Sequence, residues 1–101
     1  MSSTSETPVL DLLGAMTLAS IEVSSLDPSE LMLVRIAALV AVDAPPISYA
    51  TNLEAIASVG IDVERVRGVL AAVAPIVGTA RVASATGNIA EALSVALEDV
   101  S

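Results

Sequence analysis

A chain of 101 residues, 54% apolar and only 16% charged, carries more apolar side chain than so short a core can hide. Average soluble domains run about 45–50% apolar and about 25% charged. Twelve acids against four arginines leave a net charge of −8, which argues against nucleic acid and anionic membranes as partners. With no cysteine and no histidine, the chain has no disulfide, no thiolate chemistry and no imidazole ligand for a transition metal. Carboxylates remain as metal ligands, but no D-x-D-x-D-G loop or D-x-D pair arranges them, so neither a metal nor a cofactor is expected.

The apolar excess needs a home. The longest uncharged run, Gly68 to Ala80, is interrupted by Pro75 and falls short of the about 20 apolar residues that span a bilayer. Met1 to Glu6 is polar and lacks the basic start of a secretory leader, so a cytoplasmic location without membrane attachment is expected. Self-association is the expected destination of the excess.

In chain order, residues 1–6 are expected to be disordered, and a single helical domain is expected over 7–98. Thr7-Pro8 opens a first helix, with Val9, Leu12, Leu13 and Met16 at helical spacing. Ile21 to Leu26 reads as a connector broken by Ser24-Ser25. Asp27-Pro28-Ser29-Glu30 combines an N-cap, a first-turn proline and the acid of a capping box. The helix it opens, Leu31 to Val42, is apolar all round except for Arg35, which predicts burial on every side. Ala44-Pro45-Pro46 stops it and starts a helix striped by Tyr49, Ala50, Leu53, Ile56 and Ala57, with Gly60 as its C-terminal stop. Asp62 caps the next, whose core stripe is Val63, Val66, Leu70, Val73 and Ala74 and whose end is set by Pro75. The last helix runs from about Thr79 to Leu97, with Val82, Ala85, Thr86, Ile89, Leu93, Ala96 and Leu97 on its inner side, and Glu98 to Ser101 is expected to fray. No strand pattern competes. The fold class is all-α, a compact bundle of about four to five helices.

The octapeptide Pro45-Pro46-Ile47-Ser48-Tyr49-Ala50-Thr51-Asn52 sits where two helices meet at a proline-rich turn. With "LDPSELMLVRIAALVAV", "NLEAIASVGIDVERVRGVLAAVAPIVGTARV" and "GNIAEAL", it makes the stretch Leu26 to Leu97 resemble the carboxymuconolactone decarboxylase-like, or alkylhydroperoxidase D-like, family. The resemblance implies an alkylhydroperoxidase D-like helical fold assembled as a homotrimer or homohexamer. Thiol members of that family carry C-x-x-C-x-x-x-H at the start of a helix. In this register the cysteines fall on Pro45 and Ser48 and the histidine on Asn52. The family's upstream glutamate falls near Met32 or Leu33. Peroxide reduction through a cysteine pair is therefore lost, because neither proline nor a serine without an adjacent base replaces a thiolate. The decarboxylase branch keeps the histidine, and asparagine cannot carry protons in its place.

Four residues are candidates for a ligand site, and none for catalysis. Arg35 is a lone cation in an apolar helix, where it would clamp a carboxylate or, with better odds, pair with Asp43, Glu54 or Glu64. Ser48 and Asn52 share a helix face and would wall a small polar pocket, or serve as a cap-proximal serine and a solvated asparagine. Tyr49, the chain's one aromatic residue, reads as core with a hydroxyl at the rim. Arg81 is expected to pair with an acid. The expected function is that of a non-catalytic or small-carboxylate-binding helical oligomer. The alternative is a non-redox enzyme of decarboxylase or isomerase type acting on a small carboxylated lactone or enol, with Glu30, Asp43, Glu54 and Tyr49 as its possible proton carriers.

Overall fold

The computed structural model describes residues 6–100, with the side chains of all but 53–54 and 94–100. It is all-α. Among the described residues six helices follow in order: α1 Pro8–Val23, α2 Pro28–Ala41, α3 Pro46–Ala50, α4 Leu53–Ser58, α5 Val63–Val77 and α6 Thr79–Val100. Among the described residues there is no strand. The expected disorder of residues 1–5 lies outside the described residues.

Local chemistry sets most boundaries. The Asp27 carboxylate accepts from the Glu30 amide at 2.8 Å, and the Glu30 carboxylate accepts from the Asp27 amide at 3.1 Å. That reciprocal pair is the capping box that the Asp-Pro-Ser-Glu run predicts. Asp62 caps α5 through the Arg65 amide at 3.0 Å. At the end of α4, the Ile61 amide bonds the Ile56 carbonyl and the Gly60 amide bonds the Ala57 carbonyl, with Gly60 at φ 81. This is a Schellman stop, and its Ile56–Ile61 contact lies in the core. The end of α2 repeats the pattern: Ala44 bonds Leu39, Asp43 bonds Val40, and the left-handed position is held by Asp43 at φ 55.

At the C-terminus α6 continues to Val100, where fraying was expected from Glu98 on, and three internal boundaries also differ from expectation. First, α1 runs on to Val23, so the connector shrinks to the residues around Ser24-Ser25. Second, the helix expected to run from Pro46 to Gly60 is broken into α3 and α4 at Thr51-Asn52. There the Thr51 hydroxyl and the Asn52 side-chain amide both donate to the Ser48 carbonyl, at 3.0 and 2.9 Å, and the Asn52 backbone amide turns to Tyr49. Short polar side chains compete with the helical ladder in this way. Third, Pro75 lies inside α5, which ends at Gly78 with φ 90. The proline removes one bond three residues before the Gly78 stop, so only the last turn of α5 is affected.

The core has two parts. In the larger, Leu31, Met32, Ile36 and Val40 from α2 meet Ile56, Ile61 and Ala85, with Val66, Val69, Leu70, Val73 and Val77 of α5 packed against them. In the smaller, Ala44, Tyr49 and Ala92 pack with Leu39, Ala50 and Ile89, which seats α3 on α6. The all-round burial expected of α2 does not occur within one chain. Its Ile36–Val40 face is buried, whereas Val34 and Val42 on other faces are exposed. Val63 of α5 is exposed too, and Val69 and Val77 join the packed face instead. On α6, Thr86 and Leu93 are exposed where an inner position was expected, and Ala92 is buried; Ala96 and Leu97 lie outside the described side chains.

α1 stands apart. It buries no residue, and Val9, Leu10, Leu12, Leu13, Met16, Leu18, Ile21 and Val23 are all solvent-exposed. The radius of gyration is 14.8 Å, against about 13 Å for a compact domain of this length.

Candidate functional site

The structure brings two of the four candidate residues, Arg35 and Asn52, to one cleft and places Ser48 and Tyr49 elsewhere. Arg35 is half-buried on α2. Its guanidinium reaches α1, donating to the Thr17 carbonyl at 3.3 Å and to the Ser20 hydroxyl at 3.2 Å. The acid pairing expected for Arg35 is replaced by these neutral acceptors. Asp43 is engaged by Ser84, and Glu64 pairs with Arg67 at 3.7 Å on the surface. The Glu54 side chain lies outside the described residues.

Arg35 and Asn52 line a shared open cleft of about 240 Å³, together with Thr17, Ala38 and Leu39. Arg35 supplies a cation there and Asn52 an amide, one of whose N–H groups is already given to Ser48. Ser48 and Tyr49 lie outside this lining. Ser48 serves the corner through its carbonyl, which ends α3. Tyr49 is 2% exposed and belongs to the smaller core cluster. Among the described residues its hydroxyl finds no hydrogen-bond partner. Burial, and secondly the nearby Asp43 charge, push the Tyr49 phenol above the usual tyrosine range.

The chemistry of the cleft follows from its lining. Among the described residues the lining threonine, arginine, alanine, leucine and asparagine include no group that exchanges a proton near neutral pH. Of the possible proton carriers named from sequence, Glu30, Asp43 and Tyr49 do not line it, and the Glu54 side chain lies outside the described residues. No group of three or more potential ligand side chains that could hold a metal is found among the described residues.

A second polar cluster lies beyond the four candidates. Arg81, Ser84 and Asn88 share one face of α6 and grip the end of α2. Arg81 donates to the Ala41 carbonyl, the Ser84 hydroxyl donates to the Asp43 carboxylate at 2.7 Å, and the Asn88 amide donates to the Ala44 carbonyl at 3.1 Å. The expected acid partner of Arg81 is thus replaced by a helix C-terminus, whose partial negative charge suits a cation. Asn88 carries the half-buried member of this grip and was not singled out by pattern. Its spacing from Arg81 and Ser84, i, i+3 and i+7, is the signal that marks it.

Comparison of the chain with protein-family models, with curated proteins and with solved structures finds no match. Among the described residues, no helix is long and apolar enough to cross a membrane.

Proposed function

We propose that this protein is a non-catalytic helical module that works by associating with further copies of itself in the cytoplasm. The observation that carries the reading is α1, a helix whose apolar side chains are all exposed in the single chain. Burying such a surface is worth about 25 cal/mol per Å² of apolar area, so it drives association. The corner where a reactive group would be sought supports the same reading. Arg35 ties α2 to α1, Asn52 ends α3, and Tyr49 is core. The likeness of Leu26 to Leu97 to the carboxymuconolactone decarboxylase-like family enters as a proposed ancestry, with the thiol chemistry lost.

Light scattering after size exclusion tests the reading. A multimer that persists at micromolar concentration is expected, and a stable monomer there would reject it.

A second reading rests on the cleft. Arg35 and Asn52 would hold a small carboxylate, the guanidinium by charge and the amide by hydrogen bonding. Saturating a site at 100 times Kd adds about 2.7 kcal/mol to stability. A thermal-shift screen of small dicarboxylates and lactones would detect it, and Arg35→Met should abolish any shift found.

A further inference from the structure

We propose that α1 is the contact between copies, and that two α1 helices pair antiparallel about Met16. The inference rests on the self-association reading and adds the seam, the geometry and the symmetry of the contact.

The sequence of α1 contains a seam. Val9, Leu12, Met16, Ala19 and Val23 recur at steps of three, four, three and four, the a/d spacing by which one helix packs into another. The seam is open along its whole length. Val9 is 66% exposed, Leu12 60%, Met16 56% and Val23 85%. Thr17 and Ser20, which receive Arg35, lie off it. The chain's own body therefore holds α1 from one side and leaves the seam unused.

Area and charge select a second copy as the occupant. The chain exposes 6771 Å², whereas a compact monomer of its mass of 10.1 kDa exposes about 5,300 Å². A standard interface removes about 800 Å² from each partner, which the excess readily accommodates. α1 carries only Asp11 and Glu22 as charges, both off the seam, so this face escapes most of the repulsion of a chain at −8. An antiparallel pair centred on Met16 sets Val9 against Val23 of the other copy. It also brings each Glu22 toward the positive end of the other helix's dipole, which offsets the approach of the other copy's Asp11 one residue away in this register. A parallel pair would instead align the two dipoles side by side.

An antiparallel self-contact is isologous, so it generates a two-fold axis and an even number of subunits. Of the two assemblies that the family resemblance implies, a hexamer contains such axes and a trimer does not.

Charge substitution and cross-linking together test the proposal. Met16→Glu should halve the mass read by light scattering, while Met16→Leu keeps it. Because α1 buries nothing in its own chain, Met16→Glu should leave the denaturant transition of the monomer body in place, read by circular dichroism. The cysteine-free background permits clean oxidation tests. Met16→Cys should form covalent dimers. Val9→Cys mixed with Val23→Cys should cross-link, and neither should do so alone. An unchanged mass for Met16→Glu, an odd-numbered parent, or cross-links of Val9→Cys to itself would overturn the seam while leaving self-association intact. A monomeric parent would reject the underlying reading instead.

Discussion

Asp43 accepts a 2.7 Å hydrogen bond from Ser84 while its own backbone sits in the left-handed region at φ 55. Glycine is the usual occupant of this position in a helix stop, because a Cβ there is strained. Asp43 tolerates the strain better than most residues, and its carboxylate ties the α2 end to α6. The two effects oppose each other, which makes a sharp double-mutant cycle. Asp43→Gly should be near neutral in the parent and stabilising in Ser84→Ala, with a coupling of about 1 kcal/mol. Urea midpoints of the four proteins measure it, and simple additivity would show that the bond contributes nothing.

Two glycine substitutions should have opposite signs. Gly60 has φ 81 in the α4 stop, and Gly60→Ala should cost about 1 kcal/mol by forcing a side chain into a left-handed backbone. Gly68 lies within α5 with open space where a Cβ would stand, so Gly68→Ala should add about 0.5–1 kcal/mol. Thermal or urea unfolding distinguishes them. Equal effects would show that backbone conformation is not what sets the cost.

Tyr49 should make stability fall at alkaline pH. Its phenol is raised in the folded state, chiefly by burial. The stabilisation of the neutral form is complete below the ordinary tyrosine value of about 10, and is lost as pH rises through the folded value, because the unfolded chain gives up its proton first. Tyr49→Phe should flatten that decline. Because the hydroxyl is buried without a partner among the described residues, the substitution should leave stability at neutral pH unchanged or raise it by about 1 kcal/mol. As the chain has one tyrosine, tyrosinate absorbance follows it directly. A parent that titrates at the ordinary value would contradict the buried placement.

α2 should tolerate charge on one face and not the other. Val34 is exposed and Ile36 is 2% exposed. Val34→Asp should leave the body folded, whereas Ile36→Asp should abolish cooperative unfolding by burying an unpaired charge. Circular dichroism against urea reads both. Equal loss from Val34→Asp would mean that the outer face of α2 is also covered in the assembly.

Much of the fold was legible in short-range chemistry. The Asp27 box, the Asp62 cap and the Gly60 stop each depend on residues within a few positions, and each appears as its pattern predicts. Burial was less legible. The spacing of Leu31 to Val42 shows that α2 is apolar, but which face meets α5 depends on residues far along the chain. The break at Thr51-Asn52 was missed because Tyr49, Ile56 and Ala57 keep helical spacing across it, while the competition for the Ser48 carbonyl is set by side-chain rotamers. At the site, the charge of Arg35 was visible and its partners were not. A backbone carbonyl such as that of Thr17 or Ala41 leaves no mark in a sequence, so arginines bound to helix carbonyls read as arginines seeking acids.

The grip of Arg81, Ser84 and Asn88 on the end of α2 has a kinetic consequence. Its three bonds span 40, 41 and 44 residues, so none can form until the intervening chain has become compact. α6 is therefore expected to close over Tyr49 late. The docking of α6 becomes a late event on the folding route. Loosening the grip should then speed the escape of α6 from the native state and leave the approach to it almost untouched.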